Sequence, residues 1–174
     1  MNFYGFEVEV AFLVHEGRIL AYAWHYDEKK ALKHLKRISK FHDLEGEVKR
    51  SGKLETWLKE RVDDVVLRGK KFKLPDISYR DRSVYERIIG VPRGETATYS
   101  QVARELGISY AELLKTLMKN PLQVLIPCHR LVTNRGTLFG FYPLGKEVKK
   151  RLLELEKAEL SRFCSNKFVE SNKY

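Results

Sequence analysis

The sequence has only two cysteines, Cys128 and Cys164, among 174 residues. Two are too few for a disulfide scaffold, and their spacing is not that of a zinc cluster. In a reducing compartment both are expected as thiols, with a Cys128–Cys164 bridge as the alternative. No apolar run approaches the roughly 20 residues that a membrane helix needs, so no membrane partner is expected. Glu7 and Glu9 interrupt the apolar start, so the N-terminus does not read as a signal peptide. Internal repeats and low-complexity tracts are missing as well. These absences lead to the expectation of a cytoplasmic protein, or a nuclear one if the source has a nucleus.

What is present begins with charge. The net charge of +10 favours a polyanionic partner, nucleic acid first. The excess is spread along the chain. Residues 1–75 carry 16 basic and 12 acidic side chains and residues 76–174 carry 17 and 11, so neither half is a basic arm. Abundant Lys, Arg and Glu with little Gln suits a thermophile.

The hydrophobic pattern predicts an α/β (α+β) protein with two domains. Residues 1–75 form a small N-terminal sheet-plus-helix domain. Residues 76–174 form a mostly helical domain with a helix-turn-helix and the cysteine. In the first, Phe6 to Val14 and Ile19 to Tyr26 read as strands joined by a turn at His15-Glu16-Gly17-Arg18. Leu32, Leu35, Ile38 and Phe41 recur at helical spacing, as do Leu54, Leu58, Val62 and Val65, with Gly69 as a stop. Lys70 to Leu74 is expected to add a strand before Pro75. His15, His25, His34 and His42 are scattered and read as surface or packing residues.

Residues 76–83 are polar and read as the linker. Val84, Ile88 and Ile89 then form one apolar stripe, and Pro92-Arg93-Gly94 a turn. Ser100 to Leu106 reads as a short helix capped by Gly107. Ser109 and Glu112 have capping-box spacing, and Ile108 and Leu113 flank them at staple positions. The helix they open is expected to bury Leu113, Leu114, Leu117 and Met118 and to stop at Asn120-Pro121. Two short helices around a Gly-containing turn make a helix-turn-helix candidate, or an ordinary helical hairpin. Leu138 to Gly145 is an aromatic and glycine-rich loop, and Val148, Leu152, Leu155 and Glu156 mark a final helix. The last dozen residues, with Cys164, read as a polar tail.

Cys128 stands in Ile126-Pro127-Cys128-His129-Arg130. A cysteine attacks as the thiolate, which needs a nearby base or positive field. His129 and Arg130 supply those residue types, although adjacency alone also suits a buried structural cysteine. This five-residue run resembles the active-site signature of the O6-alkylguanine-DNA alkyltransferases. Gly94-Glu95-Thr96-Ala97-Thr98-Tyr99 is similar to the family's entry to its helix-turn-helix. Asn120-Pro121, Gly140-Phe141 and Leu152 to Glu156 continue the likeness over roughly residues 80–160.

The resemblance implies DNA repair by a single-turnover methylated-DNA–protein-cysteine methyltransferase. Cys128 would take the alkyl group from guanine O6, with His129 as base through a water and Glu156 orienting it. Tyr99 would bond the flipped base and stabilise the leaving guanine. Asn120 would brace the loop and Arg130 support it, while the backbone at Leu131 and around Tyr142 would read the base edge. The implied partner is double-stranded DNA containing alkylated guanine, bound by a monomer with no metal or cofactor.

The sequence departs from the family in the recognition helix. Ala111 occupies the place of an arginine that fills the space left by the flipped base. Tyr110 and Glu112 flank it; a tyrosine ring is a candidate wedge, and a carboxylate weakens phosphate binding. Gln123 stands where the family has a proline, and Phe141 where it has a tyrosine. Two other readings therefore stand beside the transferase: a DNA-lesion binding or sensing module of the same fold, and another base-flipping activity such as base excision. A cysteine hydrolase is disfavoured because no oxyanion-hole motif accompanies Cys128.

Overall fold

The computed structural model describes residues 1–157; Cys164 and the tail lie outside the described residues. The N-terminal part is built on one antiparallel sheet of order β4-β3-β5, with β3 Glu9–His15, β4 Arg18–His25 and β5 Glu47–Lys49. A short hairpin of β1 Asn2–Phe3 and β2 Phe6–Glu7 precedes it. Glu16 (φ 48) and Gly17 (φ 74) make the two-residue turn between β3 and β4. Positive φ at both positions matches the twist of the strands it joins.

Both faces of β3 and β4 are covered, so neither strand alternates apolar and polar residues. Ala11, Leu13, Ala21 and Ala23 pack with Leu35 and Ile38 of helix α1 (Glu28–His42). The alanines, paired Ala11 with Ala23 and Leu13 with Ala21, let the helix lie close to the sheet. Val10, Phe12, Tyr22 and Trp24 point the other way. They join one core cluster with α2 (Gly52–Val66), α3 (Arg82–Ile89) and residues as far along the chain as Leu152.

The C-terminal part contains the expected pair of short helices. Helix α4 (Tyr99–Leu106) begins at Thr98, whose side chain accepts from Gln101 N, and ends at Gly107 with φ 67. Helix α5 (Tyr110–Met118) begins with the capping box read from the sequence. Glu112 N donates to Ser109 Oγ at 3.1 Å and Ser109 N donates to Glu112 Oε2 at 2.8 Å. A two-stranded parallel pair, β6 (Ala97–Thr98) and β7 (Leu131–Val132), joins the start of α4 to the segment after Cys128. Helix α6 spans 146–157 within the described residues.

Four sequence expectations need correction. Residues 70–74 form no strand; Phe72 and Leu74 pack on the core, and the edge of β3 that a strand needs is taken by β5. The run from Phe6 to Val14 is two strands, because residues 6–7 pair with β1 whereas 9–15 pair with β4. The stretch 76–83 is no bare linker. Tyr79 is buried with its hydroxyl donating to Leu20 O at 2.5 Å, and α3 starts at Arg82. Met118 is 44% exposed and Leu114 and Leu117 are half-buried, because all three line a cavity; Thr116 is buried instead.

His34 and His42 are packing residues. His34 is buried on α1 with its ring edge-on to Tyr142 (centroids 5.0 Å apart) and Nδ1 without a hydrogen-bond partner among the described residues. Burial, then the charges of Lys119 and Arg37, pull it down to about 4 from 6.5. Below the unfolded value the unfolded chain binds the proton and the folded one does not. Stability from this group is therefore complete above 6.5 and lost as pH falls toward 4. Denaturant unfolding at pH 7 and pH 4.5 is expected to show His34→Leu losing less stability on acidification than the parent, by about 2 kcal/mol.

Candidate active site

Cys128 opens a short 3-10 turn, Cys128–Arg130, after a loop that begins at Asn120. The loop is built by one side chain. Asn120 Oδ1 accepts from Leu122 N at 3.0 Å, and its Nδ2 donates to Ile126 O at 3.1 Å and to Cys128 Sγ at 3.5 Å. Inside it Val124 adopts φ 79, a conformation costing a β-branched residue on the order of 1–3 kcal/mol, held by the bonds around it.

His129 and Glu156 are fully buried and bonded to each other, Nε2 to Oε1 at 2.9 Å. Arg130 donates to the same carboxylate from Nε (3.1 and 3.2 Å) and from one terminal nitrogen (2.8 Å). Its remaining donors reach Val91 O and Val65 O. Burial pushes the Glu156 carboxyl up, but the bonds from His129 and Arg130 outweigh it and leave it below its ordinary value. An ionised Glu156 only accepts, so Nε2 of His129 carries the hydrogen. Nδ1 then holds a lone pair and has no hydrogen-bond partner among the described residues. Burial pulls the imidazole below its ordinary value, so it is neutral and basic at Nδ1.

Burial also pushes the Cys128 thiol up. The bond from Asn120, the charge of Lys149 and the amide of Gln123 act against that rise. Lys149, on α6, is fully buried, and its Nζ donates to Tyr99 Oη at 2.6 Å. Burial brings its ammonium down to about 8, so it still carries charge near neutrality. Sequence reading missed Lys149. The signal was available: it precedes Leu152 by three residues and Glu156 by seven, which puts all three on one helical face.

Tyr99, Cys128, Gln123 and Tyr142 line a cavity of about 150 Å³ with Leu114, Leu117, Met118, Phe139 and Phe141. Tyr110 is 42% exposed at the start of α5, with its ring edge-on to Tyr99 (centroids 6.0 Å apart). Ala111 and Glu112 beside it are exposed. Asn120, Arg130 and Leu131 are buried, so they support the cavity from behind; they do not form an exposed DNA-facing surface. Leu131 N donates to Cys128 O, and Tyr142 O accepts from Gln123 Nε2 at 2.6 Å. Among the described residues no group of three or more His, Cys, Asp or Glu side chains could hold a metal ion, and no helix is long and apolar enough to cross a membrane.

Lys149→Met is expected to move the Cys128 thiol to higher pKa. The check is the pH dependence of Cys128 alkylation by iodoacetamide, whose midpoint should rise. An unmoved midpoint would show that Lys149 contributes no field at the sulfur.

Residues 80–158 match the family described as 6-O-methylguanine DNA methyltransferase, DNA binding domain. A methylated-DNA–protein-cysteine methyltransferase of Metallosphaera sedula is 40% identical over 100 residues, covering 53% of this chain and 62% of that protein. One of Methanothermobacter thermautotrophicus is 42% identical over 79 residues, covering 45% and 44%. The chain thus spans less than two thirds of the length of these curated relatives. The solved O6-methylguanine-DNA methyltransferase of the hyperthermophilic archaeon Pyrococcus kodakaraensis superposes with a TM-score of 0.63. It is 25% identical, and the match covers 86% of this chain and 91% of that one. The resemblance to the O6-alkylguanine-DNA alkyltransferase family, first carried by Ile126 to Arg130, therefore holds in sequence over residues 80–158 and in fold over most of the described chain.

Proposed function

We propose that this protein repairs DNA by moving an alkyl group from O6 of guanine to Cys128, irreversibly and once per molecule. One observation carries the reading. The sulfur sits in an apolar cavity with a neutral histidine beside it in the chain, and that histidine is held by a buried carboxylate. In the reaction the Cys128 sulfur forms a bond to the alkyl carbon as the carbon–O6 bond breaks. The thiol proton passes to His129 Nδ1 through a water, and Glu156 stabilises the imidazolium. The electron pair of the broken bond stays on guanine. Tyr99 donates a proton to the leaving base, and the Lys149 ammonium on Tyr99 Oη eases the loss of that proton. The thioether product has no route back, so the cysteine is consumed.

The partner in this reading is double-stranded DNA with the damaged base turned out of the stack. Tyr110 is the wedge that takes the vacated space, since its exposed ring stands next to Tyr99 where Ala111 leaves no arginine. The division into residues 1–75 and 76–174 assigns bracing to the first part and chemistry to the second. A cytoplasmic monomer completes the proposal. One observation favours the lesion-sensing alternative: exposed Ala111 and Glu112 give the recognition helix no cation of its own there.

Intact mass after incubation with an oligonucleotide carrying O6-methylguanine decides between them. The transferase gains one methylene unit, and Cys128→Ala gains none. Binding without mass gain would overturn the proposal in favour of sensing, and cleavage of the glycosidic bond would point to base excision. Tyr110→Ala is expected to slow reaction with duplex DNA on the order of tenfold while sparing reaction with free O6-benzylguanine. Equal rates on both substrates would remove Tyr110 from base flipping.

A further inference from the structure

Gln123 is a buried amide at the junction of three parts of the molecule. It is 6% exposed and lines the cavity that holds Cys128. Its Oε1 accepts from the Trp24 indole N–H at 2.6 Å, on β4. Its Nε2 donates to Tyr142 O at 2.6 Å, in the loop that roofs the cavity. Its backbone carbonyl accepts from the Tyr22 hydroxyl, two residues before Trp24 on the same face of β4. The turn through Val124 brings Gln123 into a bridge with Ile126, just before Cys128.

These bonds do two things that an apolar residue here could not. They fix the distance between the roof loop and the segment carrying the nucleophile, using the sheet as the fixed body. They also orient the amide. With Oε1 committed to the indole, the NH₂ group faces the other way, where Tyr142 O takes one hydrogen and the second remains available on the cavity that Gln123 shares with Cys128. Among the described residues the amide is the only polar side chain besides Tyr99, Tyr142 and Cys128 in a lining that is otherwise Leu114, Leu117, Met118, Phe139, Gly140 and Phe141. Against so apolar a lining a single N–H donor beside the buried sulfur weighs on a developing thiolate.

We infer that Gln123 is a positioning residue for Cys128: it ties the roof loop to the sheet through Trp24 and Tyr142 and presents an amide donor to the thiolate. The role in repair rests on the transferase reading; the role toward the sulfur does not. The influence of the Gln123 amide on the Cys128 thiol runs in the direction this requires, favouring the thiolate.

Two substitutions test it. Gln123→Leu removes both functions. Gln123→Glu keeps the acceptor for Trp24 but replaces the donor with a carboxylate facing Tyr142 O and the sulfur. The first readout is Cys128 alkylation by iodoacetamide against pH, localised by peptide mapping, which needs no DNA. The midpoint is expected to rise in the order parent, Gln123→Leu, Gln123→Glu, since losing a donor disfavours the thiolate and adding a like charge disfavours it more. A merely structural role would leave the Gln123→Leu midpoint at the parent's value. The second readout is the rate of methyl transfer from O6-methylguanine DNA, expected to fall on the order of tenfold in Gln123→Leu. A Gln123→Leu midpoint coincident with the parent's would overturn the inference, and if Gln123→Leu does not fold, Gln123→Met, which fills the space without a donor, takes its place. A displaced Gln123→Leu midpoint together with a parent that transfers no methyl group would sink the transferase reading and leave Gln123's role at the sulfur standing.

Discussion

The structure turns on a carboxylate with no water around it. Glu156 is fully buried, and a lone buried anion would be untenable at several kcal/mol. Arg130 neutralises it through two of its nitrogens, and His129 supplies a further donor. Arg130 then spends its other hydrogens on Val65 O, at the end of α2, and Val91 O, just after α3. One guanidinium therefore binds α6, the cysteine turn, the end of α2 and the segment after α3 into a single unit. Removing either charge would leave the other buried and uncompensated, a loss of about 3–5 kcal/mol. The same arrangement decides which nitrogen of His129 is free, so the chemistry of the site and the stability of its frame are one interaction.

A second tension lies at the sulfur. Shielding Cys128 from water keeps it from adventitious reaction but raises the cost of its thiolate. The protein answers with several weak effects from separate elements: the Asn120 amide, the Lys149 charge and the Gln123 amide. Lys149 is itself poised, because the burial that brings it close to Tyr99 and the sulfur also weakens its hold on its proton.

Much of this was legible in the residues. Local chemistry that completes itself within a few positions reads well. Ser109 with Glu112, Gly107 after Leu106, and Glu16-Gly17 between two β-branched runs each state their own structure. Features that depend on distant partners read poorly. The segment 70–74 has a strand-like composition, but whether it pairs depends on β5, a three-residue piece with all its residues exposed that no pattern marks. Met118 looks like core because its helix is amphipathic; only the fold shows that this side meets a cavity. Gln123 could be seen only as a departure from a family pattern, since its meaning lies in Trp24, 99 positions away. Lys149 hid among the other lysines of a basic helix.

The bond between Trp24 and Gln123 has a consequence outside chemistry. The chain has two tryptophans, and the other, Trp57, lies on α2 beside a separate hollow lined by Arg18, Phe72 and Pro75. Indole emission depends on the dipoles around the ring and on the partner of its N–H. Trp24 therefore watches the roof of the Cys128 cavity through one amide, with Trp57 as an internal reference. The molecule carries its own optical gauge of the bond that ties that roof to the sheet.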